Sequence, residues 1–485
     1  MKHPQACRLH AVFLSVVAAA TLSACAVGPT YERPTVTSPQ AWKEAPAAVG
    51  WLPAAPADAL DRGEWWTLFG DAQLNALAAR VEVSNQNIAT AVANYAQAQA
   101  LVREDRAALF PSLSLSGSST RSGNRTAGTA TGSASASLDA SWDADVWGRL
   151  KLTVSSAQAQ AQASQADLAA ARLSAQGSLA SNYFSLREAD AELALLDATI
   201  QGYERALTIA RNRYEAGIAP QSDVLQAQTT LVNTRADRVS TQGTRDTLAH
   251  AIAVLIGAAP ADFQLPALAT WQPVVPAVPL GVPSTLLQRR PDIASAERAV
   301  AAANAQIGIE RSAYFPSLSL SASLGRSSSR VSDLFSASNT LWSFGLSTAQ
   351  VLFDAGAIAA RVDAARAAMD ASTAKYRQTV LTAFQAVEDQ LTSTASLAQQ
   401  EVLRREASAA ADRTEEQMLN RYRAGQVSYT DVVTAQASAL SARRTVLQVL
   451  LSRQTAAVSL IQGLGGGWQG LDGADGTATG VPGGS

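Results

Sequence analysis

The chain repeats itself, and that repetition limits its architecture more than any other feature. Val102 to Ser116 returns as Ile307 to Ser321, displaced by 205 positions, with Phe-Pro-Ser-Leu-Ser in both copies. Arg213-Tyr214-Glu215-Ala216-Gly217 returns as Arg421-Tyr422-Arg423-Ala424-Gly425, displaced by 208. Asp223 and Ala227-Gln228 recur at that same displacement as Asp431 and Ala435-Gln436. Matches in register across so much chain imply two copies of one structural plan. Each copy reads as a helix, a β-hairpin, a long helix, a turn and a further helix. Repeat 1 covers residues 71–256 with its hairpin at 111–147, and repeat 2 covers 285–462 with its hairpin at 316–353. Between them, 257–284 holds Pro260, Pro266, Pro273, Pro276, Pro279 and Pro283, a linker that cannot be helical throughout.

The hairpins alternate. From Ala134 to Val146 every second residue is apolar, including Leu138, Trp142 and Val146, and the intervening ones are Ser or Asp. Successive strand residues point to opposite faces, so this is a strand with one greasy and one acidic side. Outer-membrane strands need roughly 9–11 tilted residues, apolar toward lipid and polar toward a lumen. Asp139, Asp143 and Asp145 are then lumen residues of a water-filled pore. Its partner begins after Phe110-Pro111, where proline stops a helical pattern running from Asp71 to Leu109, and a polar loop at 119–132 joins the two. The second hairpin uses Leu318, Leu320, Ala322 and Leu324, then Trp342, Phe344, Leu346 and Thr348.

Few aromatics (6%) and abundant Ala suit long helices. Gly148 to about Tyr214 is one proline-free helical pattern, and its roughly 66 residues at 1.5 Å each span about 100 Å. Gly217 and Pro220 break it, and Asp223 or Ser222 is placed to cap the helix that follows to Ile256. The second long helix runs from Gly356 to about Tyr422 along a stripe from Ile358 and Val362 to Val387 and Leu391, a packing seam.

At the front, Lys2 and Arg8 precede an apolar run from Ala11 to Ala20, the pattern of an export signal over residues 1–24. It ends in Leu22-Ser23-Ala24-Cys25, which resembles the bacterial lipobox, so Cys25 is the expected site of a covalent lipid. Cys7 leaves with the signal, and no disulfide is then possible within the mature chain. Residues 25–70, rich in Pro and Trp, read as a lipid-anchored extended arm, with Trp65-Trp66 as packing groups. The tail at 463–485 is Gly-rich. Losing Lys2 and Arg8, with no acid in residues 1–24, takes the formal charge from −2 to −4, which argues against nucleic acid as a partner.

Four membrane strands cannot close a barrel, and an open sheet edge in lipid leaves backbone groups without partners. Two copies give eight strands around a packed interior, and three give twelve, enough for a channel. A homotrimer is therefore expected.

Together these residues resemble the outer-membrane efflux factor family, the TolC-like channels, in its lipid-anchored drug-efflux and nodulation-type branch. The carriers are Cys25 with Val27-Gly28-Pro29-Thr30-Tyr31, the two Phe-Pro-Ser-Leu-Ser segments, Asp145-Val146-Trp147-Gly148-Arg149, Arg290-Pro291-Asp292-Ile293 and the two Arg-Tyr-x-Ala-Gly turns. The resemblance implies an α+β membrane protein: a trimer whose 12-stranded antiparallel barrel, four strands per chain, sits in the outer membrane and continues into a long periplasmic α-helical barrel. It also implies a passive exit duct for drugs or toxic compounds, docked to a periplasmic membrane-fusion adaptor and an inner-membrane pump of the resistance-nodulation-division type. Metal-ion efflux and protein or oligosaccharide secretion are the alternative cargoes.

In such channels the helix–turn–helix tips form the periplasmic mouth. Here these are Arg213 to Gln228 and Arg421 to Gln436. Arg213, Tyr214, Asp223, Arg421, Tyr422 and Asp431 supply hydrogen bonds and ion pairs, and Gly217 and Gly425 supply the turns. Related channels often narrow the mouth with Leu and Asp after the second turn, where this chain has Thr430 and Thr434. Asp431 and the Arg421/Tyr422 contacts are then expected to carry closure.

Two rivals remain. An enzyme usually needs a group titrating near neutrality, and after the signal only His250 is left, inside a helical pattern. There is no metal-ligand cluster, no phosphate loop and no Gly-x-Ser-x-Gly elbow, so neither metal nor cofactor is expected beyond the lipid on Cys25. A lipid-tethered helical scaffold would leave the alternating hairpins unexplained.

Overall fold

The computed structural model describes residues 27–44, 62–124, 129–268, 270–276, 278, 289–334, 336 and 340–467. Cys25, the export segment and the tail from 468 lie outside the described residues. The order of elements is α1 (Ala72–Ser84), α2 (Gln86–Ala107), β1 (Ser112–Asn124), β2 (Thr129–Asp143), α3 (Arg149–Glu215), α4 (Gln221–Leu255), α5 (Pro291–Ser312), β3 (Ser317–Ser328), β4 (Thr340–Ala349), α6 (Ala357–Arg423) and α7 (Tyr429–Gly463). Repetition extends to length: α3 and α6 each have 67 residues, and α4 and α7 each have 35. Even a cross-helix ion pair recurs, Arg235 to Glu204 at 2.7 Å in repeat 1 and Arg443 to Asp412 at 2.7 Å in repeat 2.

The chain forms two compact units. One draws on Met1–Val36, Ala93–Gln165 and Ser295–Gln378. It holds one antiparallel sheet in the order β1-β2-β3-β4. Register follows the sequence alternation: Leu115 opposes Leu138, Leu138 opposes Leu324, and Leu324 opposes Trp342. Leu115, Trp342, Phe344 and Leu346 are 67–80% exposed on that face. The other face is a hydroxyl ladder, with Ser116 and Ser137 2.8 Å apart, Thr120 and Ser133 2.7 Å, and Ser319 and Ser347 2.7 Å.

Both hairpins turn into helices by the same device. Gly148 (φ 77°) precedes α3 and Gly356 (φ 91°) precedes α6. Asp145 accepts from the amides of Leu150 and Lys151, both at 2.9 Å, while Asp354 accepts from Gly356 at 2.9 Å and Ile358 at 2.7 Å. Asp145 therefore leaves the sheet and satisfies the first turn of a helix, a correction to its place among the lumen acids. In the same unit the arm crosses α5, where Asn304 donates to the Pro29 carbonyl at 3.0 Å and the Tyr31 hydroxyl donates to Glu297. Arg298 lies over the Tyr31 ring at 5.7 Å.

The other unit draws on Thr37–Val92, Ala166–Ala294 and Thr379–Ser485. Trp65 and Trp66 are 2% and 5% exposed, so both are packing groups, and Trp65 donates to Gln176 at 2.8 Å. They lie in a short 3-10 helix at Arg62–Phe69, so the arm is not extended over its whole length. The 71–109 pattern is two helices, because the Asn85 side chain interrupts the first and caps the second through the amides of Asn87 and Ile88. The proline-bearing linker is held by a buried ion network. Arg187, fully buried, reaches Asp190 at 2.8 Å and the Pro266 carbonyl at 2.8 Å, and Arg245 ties Asp190 to the Leu265 carbonyl. Removing one partner of such a group strands a charge away from water and costs several kcal/mol.

Gly308 of α5 meets Gly28 of the arm so closely that an added Cβ would lie 2.7 Å from the Gly28 Cα and 2.6 Å from Leu152 Cδ1. Gly308→Ala should therefore lower the melting temperature in detergent. The overpacking costs about 1–3 kcal/mol and outweighs the roughly 1 kcal/mol that alanine gains in a helix. Gly243, also helical but with open space at its Cβ, is the control: Gly243→Ala should be neutral or stabilising. Equal melting of the two variants would contradict the close approach.

Candidate functional site at the helical tips

Each tip closes with a left-handed glycine, Gly217 at φ 70° and Gly425 at φ 74°, conformations that a side chain would strain. The carbonyl of Arg213 accepts from Ile218 at 2.8 Å, and that of Arg421 accepts from Gln426 at 2.9 Å. The backbones of the two tips therefore match, but their side chains do not.

Tyr422 is 2% exposed, whereas its counterpart Tyr214 is 45% exposed. Tyr422 packs edge-on against Tyr429 with ring centres 5.1 Å apart, in a cluster with Tyr203, Leu207, Leu231 and Val432. Its hydroxyl donates to Asp223 at 3.0 Å, and the Arg213 guanidinium lies 4.8 Å above its ring. Arg213 also donates to the Arg423 carbonyl at 3.0 Å. Burial, and then the hydrogen bond to Asp223, push the Tyr422 phenol up to about 12. The Tyr422 hydroxyl therefore stays protonated, and a donor, through the physiological range. Arg213 and Asp223 from one hairpin thus grip Tyr422 from the other.

The two aspartates divide the work. Asp431 completes a capping box with Ser428, receiving its amide at 3.0 Å and its hydroxyl at 2.7 Å. The residue that precedes the matching helix is Pro220, which makes no side-chain cap. Without a hydroxyl to hold it, Asp223 is free to take Tyr422. This corrects the expectation that Asp223 or Ser222 caps α4. Within one chain the Asp431 carboxylate bonds Ser428 of its own hairpin, whereas Asp223 bonds across to the facing one. The Arg421 side chain is exposed at the turn. Thr430 donates to Gln226 at 3.3 Å across the hairpins, and Thr434 bonds back to the Thr430 carbonyl at 2.9 Å. Ser428, Tyr429 and Gln226 were missed from sequence. Ser428-x-x-Asp431 is a readable capping-box signature; nothing marked the other two.

In the sheet, Asp139 and Asp143 lie on the hydroxyl-bearing face. Asp139 accepts from Ser137 at 2.7 Å and Ser116 at 3.3 Å, and Asp143 is 3.8 Å from Arg149. His250 is an exposed residue of α4.

Further along the helices, Glu188 of α3 is pushed up to about 7 by burial and then by the adjacent charge of Glu192, with Arg444 of α7 opposing. Arg444 is itself bound to Glu192 at 2.5 Å and to Asp237 of α4 at 3.2 Å.

A four-stranded sheet with split faces, joined to paired helical hairpins of equal length, defines a subunit of a TolC-like outer-membrane channel. The chain belongs to the outer membrane efflux protein family, whose model matches residues 77–258 and 282–466. It is 31% identical to the cation efflux system protein CusC of Escherichia coli over 93% of this chain and 97% of the relative. It is 32% identical to the probable efflux pump outer membrane protein TtgC of Pseudomonas putida, over 93% of this chain and 94% of that one. Among solved structures, one of CusC superposes with a TM-score of 0.81 at 30% identity, covering 91% of this chain and 100% of that one. The open-state MtrE channel of Neisseria gonorrhoeae gives 0.80 at 28%, covering 91% and 98%.

Glu188 generates a pH-dependent prediction. Its carboxyl holds a proton more tightly in the folded protein, at about 7 against 4.5 for the ordinary group. The stability it contributes is full below about pH 4.5 and is lost as pH rises through 7. Between pH 5 and pH 8 the wild-type melting temperature should therefore fall more than that of Glu188→Gln, with the variant the more stable at pH 8. Parallel pH profiles would refute the assignment.

Proposed function

We propose that three copies of this chain form a passive exit duct through the outer membrane, completing a tripartite efflux system with a periplasmic adaptor and an inner-membrane pump of the resistance-nodulation-division type. One observation carries this: a four-stranded sheet, apolar on one face and hydroxyl-lined on the other, whose outer strands are both open. In lipid those edges need partners, and three such sheets supply twelve strands. Cys25 carries the lipid, which anchors the arm at 25–70. The family relation supports a transport role over catalysis.

Drugs and toxic organic compounds are the cargo we favour. Among the described strand residues of the lumen-side face, hydroxyls prevail and only Asp139 and Asp143 bear charge, a surface suited to neutral and weakly charged solutes. A cation cargo is the second reading, favoured by the similarity to a cation efflux protein.

The tips form the mouth, and the Arg213–Tyr422–Asp223 contact holds it closed. Purified protein should run as a heat-resistant trimer and show single-channel conductance in planar bilayers. Tyr422→Phe keeps the ring packing but loses the bond to Asp223, and it should raise the open probability severalfold. Asp431→Ala should instead lower helix stability by about 1 kcal/mol, the worth of a cap, with conductance little changed. Unaltered gating in Tyr422→Phe would remove that contact from the closure mechanism. Cys25→Ser should abolish palmitate labelling while leaving bilayer conductance intact.

A further inference from the structure

The internal repeat contains a description of the contact between subunits. β1 and β4 are the two edges of the sheet. Ser112 opposes Ser141 in the first hairpin and Ser317 opposes Ala349 in the second. β3 is therefore β1 displaced by 205, as the sequence repeat requires, and β4 is β2 displaced by 208. The helices obey the same displacement, since α3 starts at Arg149 and α6 at Ala357, and α4 at Gln221 and α7 at Tyr429. The correspondence extends to Arg121 and Arg326, which are equivalent.

The junction between repeats inside the chain is the pairing of β2 with β3, with Leu138 opposite Leu324, Ala140 opposite Ala322 and Ala136 opposite Arg326. Going round a closed ring, the next junction between repeats is β4 of one copy with β1 of the following copy. The strands alternate in direction across the sheet, so this pair is antiparallel as well.

We propose that β4 of one subunit joins β1 of the next in the register that β2 uses with β3. Leu346 then lies opposite Ser119 of the neighbouring copy, Thr348 opposite Gly117, Phe344 opposite Arg121 and Trp342 opposite Gly123. This rests on the trimeric duct proposed above.

The side chains support that alignment independently. All four pairs fall on the apolar face, whereas a slip by one residue would put Phe344 and Leu346 opposite the hydroxyl face of β1. The face of β1 is small at Gly117, Ser119 and Gly123, and the face of β4 is large at Trp342, Phe344 and Leu346. Those three are 67–79% exposed in the single chain. Aromatic rings across from strand glycines cover the gap the glycine leaves, and Phe344 across from Arg121 makes a cation–π pair. A slip by two residues keeps the face but moves Trp342 from Gly123 onto Arg121.

The base of the seam agrees. Within the chain the Ala144 amide donates to the Leu318 carbonyl at 3.0 Å and Trp147 stacks on Phe315 at 4.8 Å. The equivalent bond between copies runs from the Leu352 amide to the Leu113 carbonyl. Phe110, the counterpart of Phe315, is 71% exposed in the single chain, and the nearby Leu352 and Phe353 of β4's exit are 91% and 88% exposed. The junction between copies brings these surfaces together, with Ala355 standing where Trp147 does, so the backbone bond is repeated there and the ring stack is not.

The test is disulfide trapping in the full-length protein in native membranes. Ser119→Cys with Leu346→Cys is the matched pair. Gly117→Cys with Leu346→Cys and Arg121→Cys with Leu346→Cys are the two slipped pairs. Directly opposed Cβ atoms are about 4.5–5.5 Å apart and the next pair about 7–8 Å, against the 3.5–4.5 Å a disulfide needs. On oxidation the matched pair should convert most of the monomer band into covalent dimer and trimer on non-reducing gels. The slipped pairs should reach about a tenth of that yield or less, and single variants none. A slipped pair that traps better while the parent remains trimeric overturns the register and leaves the duct standing. A parent that is monomeric in native mass measurements overturns both.

Discussion

Everything in this molecule answers to the hydrogen-bonding demand of strand edges. A membrane offers no water to an unpaired amide or carbonyl, and each such group costs several kcal/mol there. Among the described residues the chain builds four strands, pairs them at three interfaces and has an open edge on each side, which the proposed ring would close with copies of itself. Placing polar side chains on one face and apolar ones on the other then decides which side of the ring is wet. The ladder of Ser and Thr pairs across the strands makes that face rich in hydroxyls, with Asp139 and Asp143 its charged groups among the described strand residues.

The two repeats have kept their backbone and divided their chemistry. Equal helix lengths, glycine turns with the same handedness and a recurring Arg–carboxylate pair preserve the frame. At the tips the frame carries unlike side chains. Ser428 captures Asp431, and Pro220 leaves Asp223 available, so one aspartate stabilises a helix end while the other reaches a tyrosine on the facing hairpin. A buried phenol held by a carboxylate and covered by a guanidinium is a contact that can be broken as a unit, which suits the gating role proposed for the tips.

Much of the architecture was legible because its periods are strong. The displacements of 205 and 208 gave two copies, alternation gave the hairpins, and a proline-free run gave helices of 67 residues within a residue or two of their ends. What failed was local. Asp145 continued the alternation on paper, yet Gly148 bends the chain there and recruits its carboxylate to the amides of Leu150 and Lys151. Asn85 split a helix whose apolar spacing ran through it, because a capping side chain outweighs a pattern that both conformations satisfy. Nothing in the spacing tells Tyr422 from Tyr214; burial of one and exposure of the other come from which hairpin each meets.

Equal helices have a further consequence. Because α3 matches α6 and α4 matches α7 residue for residue, adding one turn to a single hairpin would leave its end protruding about 5.4 Å beyond the other. The reach of the conduit across its compartment can change only by matched insertions in all four segments.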